Sequence, residues 1–305
     1  MKRNLWSKYL PAILATTCLM PLAPILATPQ APITVAQATI SQYNKYMRLG
    51  YSATAKRDYR NALINFRRAL SVRPGDAYAT TAINNVSNYA RRGSSKNIFI
   101  ASNRGAPGTR IGGATRGGCS SSDRTLTALV PANNLGMTTS QYPVVFFYVP
   151  QTSADILELS LLDENDNEVY QKNLTPNKTG GIASINFASL PGLKPLQVGK
   201  SYHWYLSIVC NAQDRSADIF VDGWVQRVKL DPALQSALQQ VSASDRASLY
   251  AVNGLWYDSL TALFETRKSS PNNSALINEW ADLLDSVGLD KIAREPLVPC
   301  CTATN

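Results

Sequence analysis

His203 is the sole histidine of this 305-residue chain, and it stands in the run His203-Trp204-Tyr205. An imidazole acts as a general base only when a nucleophile or an orienting carboxylate lies beside it. On an alternating strand His203 and Tyr205 share one face and Trp204 takes the other. That placement fits a half-buried histidine on an aromatic face better than it fits a base. Asp214, Arg215, Asp218 and Asp222 follow closely. In a strand Asp218 and Asp222 fall on one face, and two carboxylates roughly 5–10 Å apart suit glycoside hydrolysis. Pairing with Arg215 or Arg227 is the commoner reason for such a cluster. Asp163, Asn165 and Asn167 hold the first, third and fifth positions of a calcium loop, but Glu168 stands where Gly is needed and Leu174 where a bidentate Glu is needed. The segment therefore reads as a hairpin turn. Arg104, Arg110 and Arg116 lie in a Gly-rich run whose backbone N–H groups can cradle an anion, with Arg forking onto it. The run lacks the Gly-Lys-Ser/Thr ending of a nucleotide loop, and a structural lead-in pinned by Cys119 is the other reading. Trp204, Trp224, Trp256 and Trp280 form either a sugar-binding platform or part of a core. No catalytic residue, cofactor or metal site is expected, since there is no Cys-x-x-Cys spacing and no histidine near the cysteines.

The elements that must position these groups begin with helices. Tyr46, Leu49, Gly50, Ala53, Tyr59, Ala62, Phe66, Ala69 and Pro74 fall at the spacings of a tetratricopeptide repeat, which residues 43–74 resemble. Ala62, Phe66 and Ala69 share one stripe, and Gly50 and Ala62 permit close helix approach. One repeat cannot bury its own apolar face, so a groove lined by Asn44, Met47, Arg48 and Tyr51 is the expected surface for a protein or peptide partner, with Arg110 and Arg116 as further candidates. Residues 77–92 read as a third, capping helix with Ala79, Ile83, Val86 and Tyr89 on its apolar face. Strands are predicted near 124–130, 143–149, 155–162, 168–174, 182–187, 201–210 and 216–229. Val144-Val-Phe-Phe-Tyr-Val149 reads as a central strand, and Gly223 suggests a bulge or bend. Helical periodicity returns after Asp231-Pro232, with Pro232 at a first helical position. Ser244 and Asp245 can cap a helix carrying Leu249, Val252, Trp256, Leu260, Leu263 and Phe264. Asn273 or Ser274 opens another, which Gly288 ends.

Lys2, Arg3 and Lys8 precede an apolar stretch broken by Pro11, Pro21 and Pro24, which reads as a secretory leader cleaved after Ala27 or, preferably, Ala38. No other stretch is long and apolar enough to span a bilayer. The formal charge is +9, and loss of the leader lowers it by three. The balance is moderately basic, but no basic stripe interleaved with aromatics points to nucleic acid. Export makes the cysteines readable as bridges. Cys119, Cys210, Cys300 and Cys301 allow three pairings. Cys119–Cys210 is expected because each residue borders a predicted strand, and Cys300 with Cys301 pair either with each other or with another chain.

Two long stretches carry a second resemblance: Ala106-Pro-Gly-Thr-Arg-Ile-Gly-Gly-Ala-Thr-Arg-Gly-Gly-Cys119, and Val198-Gly-Lys-Ser-Tyr-His-Trp-Tyr-Leu-Ser-Ile-Val-Cys210 followed by Asp214-Arg-Ser-Ala-Asp218 and Gly223-Trp-Val-Gln-Arg227. With Leu126-Thr-Ala-Leu-Val-Pro131 and Phe147-Tyr-Val-Pro150 they resemble the cyanobacterial family called domain of unknown function 928, over about residues 100–299. The resemblance implies an envelope or secreted protein and no mechanism. The expected architecture is α+β: a leader over 1–38, tetratricopeptide-like helices over 40–92, a Gly/Arg-rich linker over 93–122, an antiparallel β-sandwich over 123–230, and a C-terminal helical pair with its tail over 231–305. The expected function is that of an exported, non-catalytic interaction or scaffold protein. A module that binds envelope polysaccharide is the first alternative, and a carboxylate-dependent hydrolase the second.

Overall fold

The computed structural model describes residues 35–91, 99–101, 104–113, 119 and 124–303. Three helices come first: α1 (Val35–Ala55), α2 (Tyr59–Val72) and α3 (Ala77–Arg91). Asp58 caps α2 by accepting from the Asn61 N–H, which satisfies one orphan donor of its first turn. Gly50 lies against Phe66 so closely that a Cβ there would stand 2.4 Å from the ring; the missing side chain is what lets α1 and α2 meet. Ala62, Phe66 and Ala69 are fully enclosed, as their common stripe requires.

The apolar side of these helices does not stay open. Helix α4 (Pro232–Leu238) lays Ala233, Leu234, Ala237 and Leu238 into the same apolar cluster, and α5 (Ala243–Val252) adds Leu249. Asp231 and Pro232 start α4 as expected, the carboxylate accepting from the Ala233 N–H.

The seven predicted strands are present, together with two short ones that periodicity cannot detect. The smaller sheet has the order β1 (Thr127–Ala128), β3 (Val144–Val149), β6 (Gly181–Asn186). The larger has the order β2 (Leu135–Thr138), β8 (Ile219–Arg227), β7 (Ser201–Val209), β4 (Ile156–Asp163), β5 (Glu168–Thr175), β9 (Thr302–Ala303). Its pairings are antiparallel except β2 with β8, which run parallel. Strand β3 is central in its sheet and buried on both faces, which is why its sequence is continuously apolar rather than alternating. The Asp163–Asn167 segment is the expected hairpin turn, with Asp163 accepting from the N–H groups of Asn165 and Asn167. Gly223 is not a bulge. The β7–β8 register runs unbroken past it, and it faces Trp204 directly. A Cβ at Gly223 would stand 2.7 Å from both the indole and Val130, so the glycine makes room for a tryptophan.

Where a single long helix was expected around Trp256, Gly254 takes a left-handed backbone (φ 75°) and divides α5 from α6 (Trp256–Ser269). The cap of α5 is Ser242, which accepts from the Asp245 N–H, rather than Ser244. Helix α7 (Ser274–Asp285) opens on Asn273 and is followed by Gly288 at φ 74°. Four helices thus stand where a pair was expected. Helices α6 and α7 cover the smaller sheet: Phe146 of β3 meets Phe264 at 5.2 Å and Trp280 at 5.9 Å, both edge-on. The two sheets and these helices share one core. Cys119 and Cys210 are bridged, tying the Gly/Arg-rich segment to the end of β7, and Cys300 is bridged to Cys301.

Candidate functional site

The groove expected on the first helices is closed. Met47 is fully buried and Tyr51 is 3% exposed. The Tyr51 hydroxyl donates to Asp231 Oδ2 at 2.9 Å, so the residue that caps α4 also anchors α4 on α1. Burial first, then the adjacent Asp231 carboxylate, push the Tyr51 phenol well above its ordinary pKa, and it stays a neutral donor. The physical reason for the correction is that a later segment of the same chain, α4, supplies the neighbour that one repeat lacks. Asn44 and Arg48 remain exposed. Arg48 borders a hollow of about 700 Å³ that also holds Lys56, Arg57 and Asp245.

Arg110 is not free for a partner. Its Nη1 donates to the Val287 carbonyl at 2.8 Å and its Nη2 to the Gly288 carbonyl at 3.1 Å. It therefore ties the lead-in segment to the C-terminal end of α7, where a cation is favoured by the exposed carbonyls. Burial lowers its pKa from the ordinary value. Arg116 lies outside the described residues.

The groups that looked chemical form a closed network. His203 and Trp224 are direct cross-strand partners with rings stacked 4.2 Å apart, and Tyr205 donates to or accepts from His203 Nδ1 at 2.9 Å. The aromatic-face position expected from the alternation is observed, but His203 is buried rather than half-buried. His203 Nε2 lies 2.6 Å from Asp222 Oδ2, which also accepts from Asn134 Nδ2 at 3.1 Å, while Oδ1 accepts from the Thr109 N–H. Burial alone raises the Asp222 pKa, but the hydrogen bonds from His203, Thr109 and Asn134 together outweigh it and hold the carboxyl below its ordinary value. The Trp224 indole donates to the Pro107 carbonyl at 3.0 Å. The network thus straps residues 107–109 across the larger sheet. Asp218 is occupied elsewhere, accepting from Arg215 Nε and from the Cys210 N–H. Asp218 precedes β8 rather than sharing it, and the two carboxylates are committed to different donors.

The tryptophan platform is also absent. Trp204, Trp256 and Trp280 are fully buried. Trp204 Nε1 donates to the Tyr257 hydroxyl, which donates to the Trp224 carbonyl, and Trp256 Nε1 donates to the Leu129 carbonyl. Their rings join helices α6 and α7 to the sheets.

A groove of about 360 Å³ with one polar wall does open on another side of the front helices. Thr81, Asn84, Asn85 and Asn88 of α3 line it at positions i, i+3, i+4 and i+7, one stripe of the helix. Gln226 at the end of β8 and Asn253 at the end of α5 face the same space, with Ile100 and Met137 as its apolar patch. Asn84 and Asn88 are exposed and Asn85 is buried. Carboxamides offer a donor and an acceptor side by side without charge. That combination matches the amide groups of an extended chain, and Arg104 adds a cation to the same lining. This stripe was visible in the sequence next to the apolar stripe of the same helix. In sequence alone, such Asn and Thr side chains have the composition of any solvated helix face.

The family model described as Domain of Unknown Function (DUF928) matches residues 111–297, from the strapped lead-in segment to the tail that follows α7. Comparison with curated proteins finds no match.

Proposed function

We propose that this chain, which belongs to the Domain of Unknown Function (DUF928) family, is an exported, non-catalytic interaction protein that receives an extended peptide segment of a partner in the groove between α3 and the larger sheet. The carboxamide stripe Asn84, Asn85 and Asn88, facing Gln226 and Asn253, carries this reading. Amide side chains pair with a peptide backbone as they pair with each other, and a groove of a few hundred cubic ångströms takes several residues rather than a whole domain. The leader-like start of the sequence and the Cys119–Cys210 bridge support export. The front helices, with their tetratricopeptide-like spacing, act as the wall that carries the stripe. They do not act as an open apolar cradle. A peptide is favoured over a glycan because, among the described residues, the lining holds no aromatic ring on which a sugar could stack.

The test is selection of peptides from a displayed library on the mature protein, followed by calorimetric titration of the best sequence. Asn84→Ala with Asn88→Ala removes two carboxamides at exposed positions, where folding is little affected. Loss of about 1 kcal/mol per hydrogen bond removed corresponds to at least a tenfold weaker Kd for the pair. Unchanged affinity in the double variant contradicts the proposal, and so does selection of envelope glycans instead of peptides by the same groove.

A further inference from the structure

A second cleft, independent of the groove on α3, lies between β3, β6 and the end of α6 and has a volume of about 690 Å³. Val144, Phe264, Leu297 and Val298 make much of its lining apolar. Arg267 and Lys268 bring two cations to it. Arg267 is the unusual member. Its guanidinium lies over the Trp280 ring, 5.3 Å from the centroid. Its Nε and Nη1 are buried and meet no acceptor, and Trp280 Nε1 in the ring beneath it is likewise buried and unpaired. Among the described residues no carboxylate pairs with Arg267. The other half-buried arginine described above, Arg110, directs its donors at three carbonyls. Arg267 itself lines the cleft: two enclosed guanidinium donors and a positive charge with no carboxylate partner among the described residues carry a desolvation penalty that an acceptor on the guanidinium, best an anion, reduces. Burial lowers the Arg267 pKa accordingly.

The lining also limits what the anion can be. Glu265 shares the cleft, so a ligand with several negative charges meets repulsion there. The apolar part of the lining favours a ligand that carries an apolar body beside its charge. We propose that this cleft binds a small organic monocarboxylate with an apolar body, its carboxylate on Arg267 and its body against Phe264 and Val298. Arg suits the role because its planar fork matches a carboxylate, and stacking on Trp280 fixes the plane of that fork.

The probe is octanoate, titrated into the full mature chain by calorimetry, with octan-1-ol as its uncharged analogue and octylamine as the cationic one. Saturable binding of octanoate is expected, with octanol at least tenfold weaker and octylamine not bound. Arg267→Gln is expected to weaken octanoate about 10- to 100-fold, the range for loss of a charge-assisted hydrogen bond. Ser184→Trp, which fills the cleft from β6 without touching Arg267, is expected to abolish binding while leaving the thermal transition in place, and it keeps the test decisive even if the arginine variant folds poorly. Octanol binding as tightly as octanoate, octanoate binding unchanged in either variant, or no saturable octanoate binding at millimolar concentration each overturns the proposal.

Discussion

The front helices and the sheet body hide their apolar residues in different ways. In the body, strands that follow one another pair directly, β4 with β5 and β7 with β8, while α6 and α7 arrive later in the chain to cover β3. In the front, α1 to α3 are completed only by α4, which comes after the whole sheet region. Tyr51 and Asp231, 180 residues apart, make the joint. A repeat pattern therefore states that a helix pair needs a neighbour, but leaves open whether the neighbour is a partner or the same chain. Here the apolar face went to the chain itself, and the polar stripe of α3 lines an open groove.

The largest effect expected from breaking this arrangement belongs to the body. Replacing Cys119 and Cys210 by Ala removes a crosslink across 91 residues of sequence, which in the chain-entropy model costs about 4–5 kcal/mol. Urea unfolding of the oxidised protein and the double variant measures it. In the front, Phe66→Ala empties a fully enclosed site between α1 and α2 and is expected to cost about 3–5 kcal/mol. Because α4 shares that cluster, hydrogen exchange should speed up in residues 232–238 as well as in 43–72; faster exchange in the front helices alone separates the two regions and breaks the comparison. Tyr51→Phe keeps the packing and removes only the bond to Asp231, for a loss of about 1–2 kcal/mol by the same unfolding assay.

The smallest effect is a pH dependence in the strap. The folded Asp222 carboxyl is held below its ordinary value of 3.8. A depressed folded value means a contribution to stability that is present above the unfolded pKa and is lost as pH falls through the folded one. Asp222→Asn should flatten the acid side of the stability curve, below about pH 4, and should lower stability at neutral pH by leaving His203 and Thr109 with a weaker acceptor. An acid limb identical in the variant shows that the network does not act as described.

Much of the fold was legible because local rules and tertiary demands agreed. The stripe of Ala62, Phe66 and Ala69, the Asp231-Pro232 helix start, the Asp163 turn and the continuous apolar run of β3 each needed only local geometry. The misses share a cause: the deciding neighbour was distant in sequence. Gly223 reads as a bulge until Trp204 is known to face it, and Arg110 reads as a loop cation until the end of α7 arrives beside it. Strands β2 and β9 are too short to show a period, and β2 pairs parallel with a strand that comes long after it. The candidate sites were less legible than the fold. Met47 and Tyr51 carried the helix pattern and so looked accessible, whereas Asn84, Asn85, Asn88 and Arg267 had nothing unusual about their sequence surroundings.

Hydrogen–deuterium exchange of the mature protein, with and without a library-selected peptide, tests the central claim most directly. The account expects new protection in α3 around residues 81–88 and near Asn253, with none over residues 43–51, which are already covered by α4. Protection confined to residues 43–51, with α3 unchanged, would contradict it.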